Sequence, residues 1–283
     1  MSLTRTEVKN LLLKHDIHPK KSLGQNFVVE PNTIRQIVKL ANLDPDDFVL
    51  EIGAGLGSLT LALLESCEHV TAVEVDDVLV KILKETTGKR TENKLRIIHE
   101  DVMELDLKQI LGERNNRWNL VANLPYNIAV PMVCDFLEKV PLISKMTVMV
   151  QREVAERMVA KAGDKEYGLP SVKIEYFAVA KILAGVPPTV FMPKPRVESS
   201  IVQIVRHENP MISEDFETLF GLIKSAFGYR RKMLRSSLKG ILSADDFDAT
   251  GIDPTNRAEN LTLEQWELLT KQIVSKGRVV SDD

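Results

Sequence analysis

Between residues 48 and 161 short apolar, strand-like runs alternate with helical patterns, and few folds tolerate that rhythm. Phe48-Val49-Leu50-Glu51-Ile52 reads as a strand that ends in glycines. Residues 70–74 read as a strand ending in Glu74, 95–99 as one followed by Asp101, and 118–122 as one followed by Asn123. A fifth strand is expected at 146–150. Helical patterns fill 58–65, 77–87, 131–138 and 154–161. Such alternation implies a parallel sheet with helices on both faces, and ligands bind such sheets at the carboxyl ends of the strands. Four of these ends carry Gly, Glu, Asp and Asn, so a polar site is expected there.

Two helices precede the sheet, at 4–14 and 32–43, with the basic, irregular stretch Lys14 to Lys21 between them. Beyond Gly185 the pattern changes. Pro187, Pro188, Pro193 and Pro195 exclude a helix or a central strand. Residues 201–206 read as a last strand. From Ser213 the chain is helical, at 216–227, 230–241, near Asp245 and at 263–275. The division expected is 1–206, with an N-terminal basic extension over 1–45, and a small all-helical domain over 207–283.

A chain of 283 residues suits one large domain or two smaller ones. Its 27% charged and 44% hydrophobic residues are those of a globular protein rather than a disordered or fibrous one. Cys67 and Cys134 sit in no CxxC, so two buried reduced thiols are expected, with neither a disulfide nor a zinc site. No apolar run reaches the ~20 residues of a membrane span, and residues 1–21 lack a signal-peptide core. A cytoplasmic protein with no membrane partner is expected, bacterial by default. The formal net charge of −3 argues against indiscriminate nucleic-acid coating, though not against a local basic patch.

Glu51-Ile52-Gly53-Ala54-Gly55-Leu56-Gly57 follows a strand and opens a helix. Glycines there let a backbone approach a ligand closely; a plain tight turn would use them too. The spacing is not that of a dinucleotide fingerprint, because the third glycine comes one residue early. A carboxylate before the first glycine suits a ligand with an ammonium group. Glu74 can accept both hydroxyls of a ribose, and Asp101 can accept from an adenine amino group. S-adenosylmethionine carries all three features. The Asn123-Leu124-Pro125-Tyr126 run could be a simple turn. At a strand's carboxyl end beside a nucleoside site it has a chemical use. The Asn123 side-chain oxygen and the Leu124 carbonyl can accept the two hydrogens of an exocyclic amine, freeing a lone pair otherwise delocalised into the base. Tyr126 can stack on that base. No His/Cys/carboxylate cluster has metal-ligand spacing, so no metal is expected.

SLGQNF at 22–27, EIGAGLGSLT at 51–60, NLPY at 123–126, FMPKPRVESSIV at 191–202, SAFGYRRKML at 225–234 and RAENLT at 257–262 occur in this order. Together they resemble the KsgA-type small-subunit ribosomal RNA adenine dimethyltransferases, over essentially the whole chain. The resemblance implies a Rossmann-like class I methyltransferase sheet of the α/β class plus a helical C-terminal domain that holds RNA. It implies transfer of methyl groups from S-adenosylmethionine to N6 of two adjacent adenosines near the 3′ end of the small-subunit RNA, each methylated twice. The cofactor set it implies is Asn26, Val28, Glu51, Gly53, Gly55, Glu74, Asp101, Val102 and Asn123. The catalytic set is Asn123, Leu124, Tyr126 and Phe191, with Phe191 a second aromatic wall opposite Tyr126; without the resemblance Phe191 reads as a core phenylalanine. Ala54 stands where many members have proline, at a turn position that tolerates either.

Lys224, Arg230, Arg231, Lys232, Arg235 and Lys239 fall within 16 residues that hold no acid. A charge run is usually a solvated helix face. If 230–241 is one helix, Arg231, Arg235 and Lys239 share a side. With Lys20 and Lys21 they form the expected RNA-contact set, and the expected partner is small-subunit RNA in an immature 30S-type particle, bound by a monomer. Three other readings stay open: a large-subunit RNA adenine methyltransferase of the macrolide-resistance type, an assembly factor acting mainly by binding, and a small-molecule methyltransferase with no use for the basic stripe.

Overall fold

A computed structural model describes residues 2–19, 24–88, 93–112, 117–125, 128–208, 216–278 and 280. Helix α1 (Arg5–Lys14) is opened by Thr4, whose hydroxyl and backbone exchange hydrogen bonds with Glu7 in a capping box. The short strand β1 (Phe27–Val28) leads into α2 (Pro31–Ala41). Then come β2 (Phe48–Ile52), α3 (Ser58–Ser66), β3 (His69–Glu74), α4 (Asp77–Thr87) and β4 (Leu95–His99). A five-residue helix α5 (Leu107–Leu111), β5 (Trp118–Asn123), α6 (Ala129–Lys139) and β6 (Ile143–Gln151) complete the alternating part. Next are α7 (Arg152–Val159), α8 (Leu169–Phe177), β7 (Ala178–Val186), β8 (Phe191–Met192) and β9 (Ser199–Arg206). The chain ends in α9 (Phe216–Gly228), α10 (Leu234–Ser237), α11 (Ala244–Thr250) and α12 (Leu263–Ser275).

Seven strands form one sheet in the order β4-β3-β2-β5-β6-β9-β7. Strands β2 to β6 pair in parallel, with Ile52 beside Val73 and Leu50 beside Leu120. The expected wholly parallel sheet is corrected at one side, where β9 runs antiparallel to β6. Strand β9 enters from the Pro-rich segment rather than from a crossover helix, which parallel pairing requires. The edge strand β7 was not expected from sequence. Its sequence AVAKILAGV is apolar except for Lys181 and Gly185, which interrupt it, and only its first and last residues are buried, unlike the central strands. The strand order reverses between β2 and β5, so their carboxyl ends open a crevice at the switch point. On one side of the sheet Ile34, Ile37, Leu59 and Leu63 pack with Val49, Val70 and Val121. Cys67 and Cys134 are both buried, and neither is in a disulfide.

Two compact units emerge, residues 1–155 with 180–206, and 156–179 with 207–283. The second therefore also takes 156–179, which the sequence reading placed in the first. The reason is apolar: Tyr167, Val172 and Tyr176 share a core with Leu219, Ile223, Trp266 and Leu269, and the Tyr167 hydroxyl donates to the Leu261 carbonyl at 3.1 Å. In this unit Asp246 has no exposed surface. Its carboxylate accepts from the Ser243 N–H at 2.8 Å, from Arg278 Nη2, which reaches both carboxylate oxygens at 2.9 and 3.0 Å, and from Lys276.

The expected helix over 230–241 is corrected. Helix α9 stops at Gly228, a turn spans 229–232, and α10 holds only four residues. The N–H groups of Leu234 and Arg235 donate to the carbonyls of Asn256 and Pro254, whereas a continuous helix would direct them four residues back. Arg231, Arg235 and Lys239 therefore do not line one helix face. Lys20 and Lys21 lie outside the described residues. Among those described, no helix is long and apolar enough to cross a membrane.

Candidate active site

The crevice between β2 and β5 holds a cavity of about 260 Å³. Its floor is the glycine loop after β2. Gly53 donates its N–H to the Val73 carbonyl at 2.9 Å, which ties the loop to β3. Gly55 and Gly57 have φ of +58° and +88°, which a side chain disfavours. A Cβ on Gly57 would also lie 2.9 Å from the Leu83 side chain, so this third glycine serves the approach of α3 to α4.

Glu74, at the end of β3, holds the loop in shape. One carboxylate oxygen accepts from the Gly55 N–H at 2.8 Å, the other from Val75 and Asp76 N–H, both at 3.0 Å. Burial raises its pKa, and these backbone donors act in the opposite direction. Glu51 is buried at the end of β2. Burial pushes its pKa up to about 8, with the Glu74 carboxylate adding to the rise and Thr60 opposing it. Its Oε2 is buried without a hydrogen-bond partner among the described residues.

Asn123 ends β5 on the other side of the crevice. Its Nδ2 donates to the Asn26 carbonyl at 3.1 Å, which fixes the amide so that Oδ1 is its remaining acceptor. That Oδ1 is buried and also has no partner among the described residues. Leu124 is 1% exposed, and its N–H donates to the Met149 carbonyl at 3.1 Å, pinning the turn to β6. Asp101 is exposed at the cavity's other end, with Oδ1 accepting from the Met103 N–H at 3.0 Å.

All nine residues of the expected cofactor set border this one cavity: Asn26, Val28, Glu51, Gly53, Gly55, Glu74, Asp101, Val102 and Asn123. Leu124 does not border it, and neither does Phe191. Phe191 is 1% exposed, paired with Val28 across β1 and β8, and packed among Ile34, Val121 and Ile201. Its ring is a core residue here rather than an aromatic wall. Tyr126 lies outside the described residues. Sequence reasoning did not single out Val8, Gln25, Phe27, Glu100 or Ile128, which also line the cavity. Gln25 and Phe27 belong to the SLGQNF run, and Val8 lies on the apolar face of α1, so both signals were present without a stated role.

A nucleoside bearing an ammonium fits this set of acceptors. Two buried acceptors without a partner among the described residues, Glu51 Oε2 and Asn123 Oδ1, border a cavity that also carries Glu74 and Asp101. Among the described residues no group of three or more His, Cys, Asp and Glu could hold a metal ion.

The model of the ribosomal RNA adenine dimethylase family matches residues 17–274. The chain belongs to that family. This adenine dimethylase is 38% identical over 280 residues to the ribosomal RNA small subunit methyltransferase A of Alkaliphilus oremlandii, covering 95% of this chain and 97% of that one. It is 43% identical over 266 residues to the protein of the same name from Kineococcus radiotolerans, covering 92% and 87%. Among solved structures, a dimethyladenosine transferase from Plasmodium falciparum superposes with a TM-score of 0.76 at 23% identity, over 89% of this chain and 98% of that one. The dimethylase therefore has the class I methyltransferase fold.

Proposed function

We propose that this dimethylase transfers methyl groups from S-adenosylmethionine to N6 of two adjacent adenosines near the 3′ end of small-subunit ribosomal RNA, acting as a cytoplasmic monomer on an immature 30S-type particle. Family membership supports the chemistry, and one observation carries the site: a buried Asn123 Oδ1 at the switch-point cavity, without a partner among the described residues.

Glu51 would hold the cofactor's ammonium, Glu74 its ribose and Asp101 its adenine, with Asn26, Val28 and Val102 along the walls. When bound, S-adenosylmethionine supplies a methyl group on a positively charged sulfur. The chain's own task is to make a poor nucleophile better. Asn123 Oδ1 accepts one N6 hydrogen and the Leu124 carbonyl the other, so the nitrogen pyramidalises and its lone pair points at the incoming carbon. As the N–C bond forms from that lone pair, the methyl–sulfur bond of the bound cofactor would break with its electron pair left on a neutral thioether sulfur, and the amine proton leaves afterwards to solvent, so no strong base is needed. Tyr126 stacks on the base. The adenosine has to leave its stack to arrive there.

Glu51 predicts a pH dependence. Its carboxyl is protonated below about pH 8 in the free protein and has to ionise to pair with an ammonium. Cofactor affinity should therefore rise between about pH 6 and 7.5, by up to about tenfold per unit, with proton release seen by calorimetry. Glu51→Gln should bind weakly and without that slope. The stability effect has the opposite sign. Between its ordinary 4.5 and about 8 only the folded state holds the proton, so the free protein loses stability as pH rises through that window. Glu51→Gln should consequently melt higher than wild type at pH 8. A wild-type affinity flat with pH would remove Glu51 from the ammonium site.

The reading as a whole is tested with labelled cofactor and small subunits that lack the modification. Nucleoside analysis should return N6,N6-dimethyladenosine. Label entering only large subunits would reject it.

A further inference from the structure

The turn between α9 and α10 carries a feature that the basic stripe leaves unexplained. Tyr229 is 64% exposed and directly precedes Arg230, Arg231 and Lys232 in sequence. A single exposed aromatic is ordinary on a protein surface. This one sits on an unusually well-tied turn. The Tyr229 N–H donates to the Ala226 carbonyl at 3.2 Å, and the Lys232 N–H returns to the Tyr229 carbonyl at 2.7 Å. Arg230 folds away from the tip: its Nε donates to Glu259 at 2.8 Å and its Nη2 to the Lys165 carbonyl. The Leu234 and Arg235 N–H groups anchor the far side on Asn256 and Pro254. Arg231 and Lys232 are exposed.

A hydrogen-bonded turn that exposes a flat ring together with two cations matches one partner chemistry closely. An unpaired nucleotide has a π-face and an anionic phosphate on each side. Tyrosine stacks on it at small conformational cost, since only two torsions have to be fixed. We propose that Tyr229 is a stacking platform for an unpaired base of the RNA substrate, with Arg231 and Lys232 neutralising the adjoining phosphates and Arg230 holding the turn in place. The inference rests on the RNA substrate proposed above and adds the kind of RNA feature recognised outside the reaction site.

The test compares wild type, Tyr229→Ala and Tyr229→Phe, measuring direct binding to unmodified small subunits alongside KM and kcat. Alanine should weaken binding and raise KM by about tenfold or more, with kcat at saturation and melting temperature unchanged. Phenylalanine should stay within about twofold of wild type. The slope of log affinity against log salt should be unaltered in both, whereas Arg231→Gln should lower it by about one. A photo-reactive residue at position 229 should cross-link to ribosomal RNA. Wild-type binding by the alanine variant, equal loss in the phenylalanine variant, or cross-linking only to a ribosomal protein would each overturn the stacking role while leaving methyl transfer intact. A wild-type protein that neither binds nor methylates small subunits would overturn both proposals.

Discussion

Asn123→Ala is expected to lower methyl transfer by about 10²- to 10³-fold, with cofactor affinity changed by only a few-fold. The magnitude is that of removing one preorganised hydrogen-bond partner aimed at a group whose charge changes in the transition state. The structure gives two reasons to expect the loss in kcat. Oδ1 is buried and lacks a partner among the described residues, so it is desolvated in advance and gains most when an amine arrives. Nδ2 is bound to the Asn26 carbonyl, so the amide is oriented without help from the substrate. Single-turnover transfer with labelled cofactor, beside calorimetric cofactor binding, reads the two effects apart. A variant that still dimethylates subunits at the wild-type rate would remove Asn123 from the mechanism. If binding and transfer fell together, the asparagine would instead be a cofactor ligand first.

Asp246→Ala is expected to cost about 3 kcal/mol and to lower the melting temperature by about 10 °C, with the isolated chemistry of the cofactor cavity unaffected. Burial alone would raise the Asp246 pKa, but Lys276, the Ser243 N–H and Arg278 outweigh it and hold the carboxyl far below the usual range. Removing the carboxylate leaves Arg278 and Lys276 without their shared acceptor and unlatches the segment that follows α12. The pH sign follows from a depressed value. The contribution is complete above the unfolded pKa of about 3.9 and is lost as pH falls below it, so wild type and variant should converge in acid. Thermal melts at pH 7 and pH 3 test both claims. A variant equally stable at pH 7 would show the cluster to be solvated rather than structural.

How much was legible beforehand depended on what each segment has to bury. Helix α12 and strand β2 carry unbroken periodic signals and were read with their correct ends, because Leu263, Trp266, Leu269 and Ile273 in the one and Val49, Leu50 and Ile52 in the other all face a core. Strand β7 lies at the sheet edge with most of its side chains unburied, and Lys181 and Gly185 interrupt its apolar residues, so its signal is weak. The 230–241 segment misled for another reason: spacing at four-residue intervals looks helical, while carbonyls from 254 and 256 take the N–H groups a helix would have used. The nine residues expected to hold a cofactor come together on one cavity because most of them sit at or just past strand carboxyl ends, which meet at the switch point. Phe191 reads from its own sequence as a core phenylalanine, which its burial among Ile34, Val121 and Ile201 matches, and only the resemblance makes it an aromatic wall.

The discontinuous make-up of the second unit bears on how the chain comes off its own ribosome. Helix α8 is synthesised ahead of nearly everything it packs against, because its partners lie on α9 and α12. At about 5–20 residues per second, its apolar side waits several seconds or more for Trp266 and Leu269 to emerge. Val172 and Tyr176 have no native neighbours from either helix until α9 emerges, and none from α12 until the end of that interval. A nascent chain arrested before α9 should therefore be a good client for chaperones that hold exposed apolar segments, and one released after α12 should not.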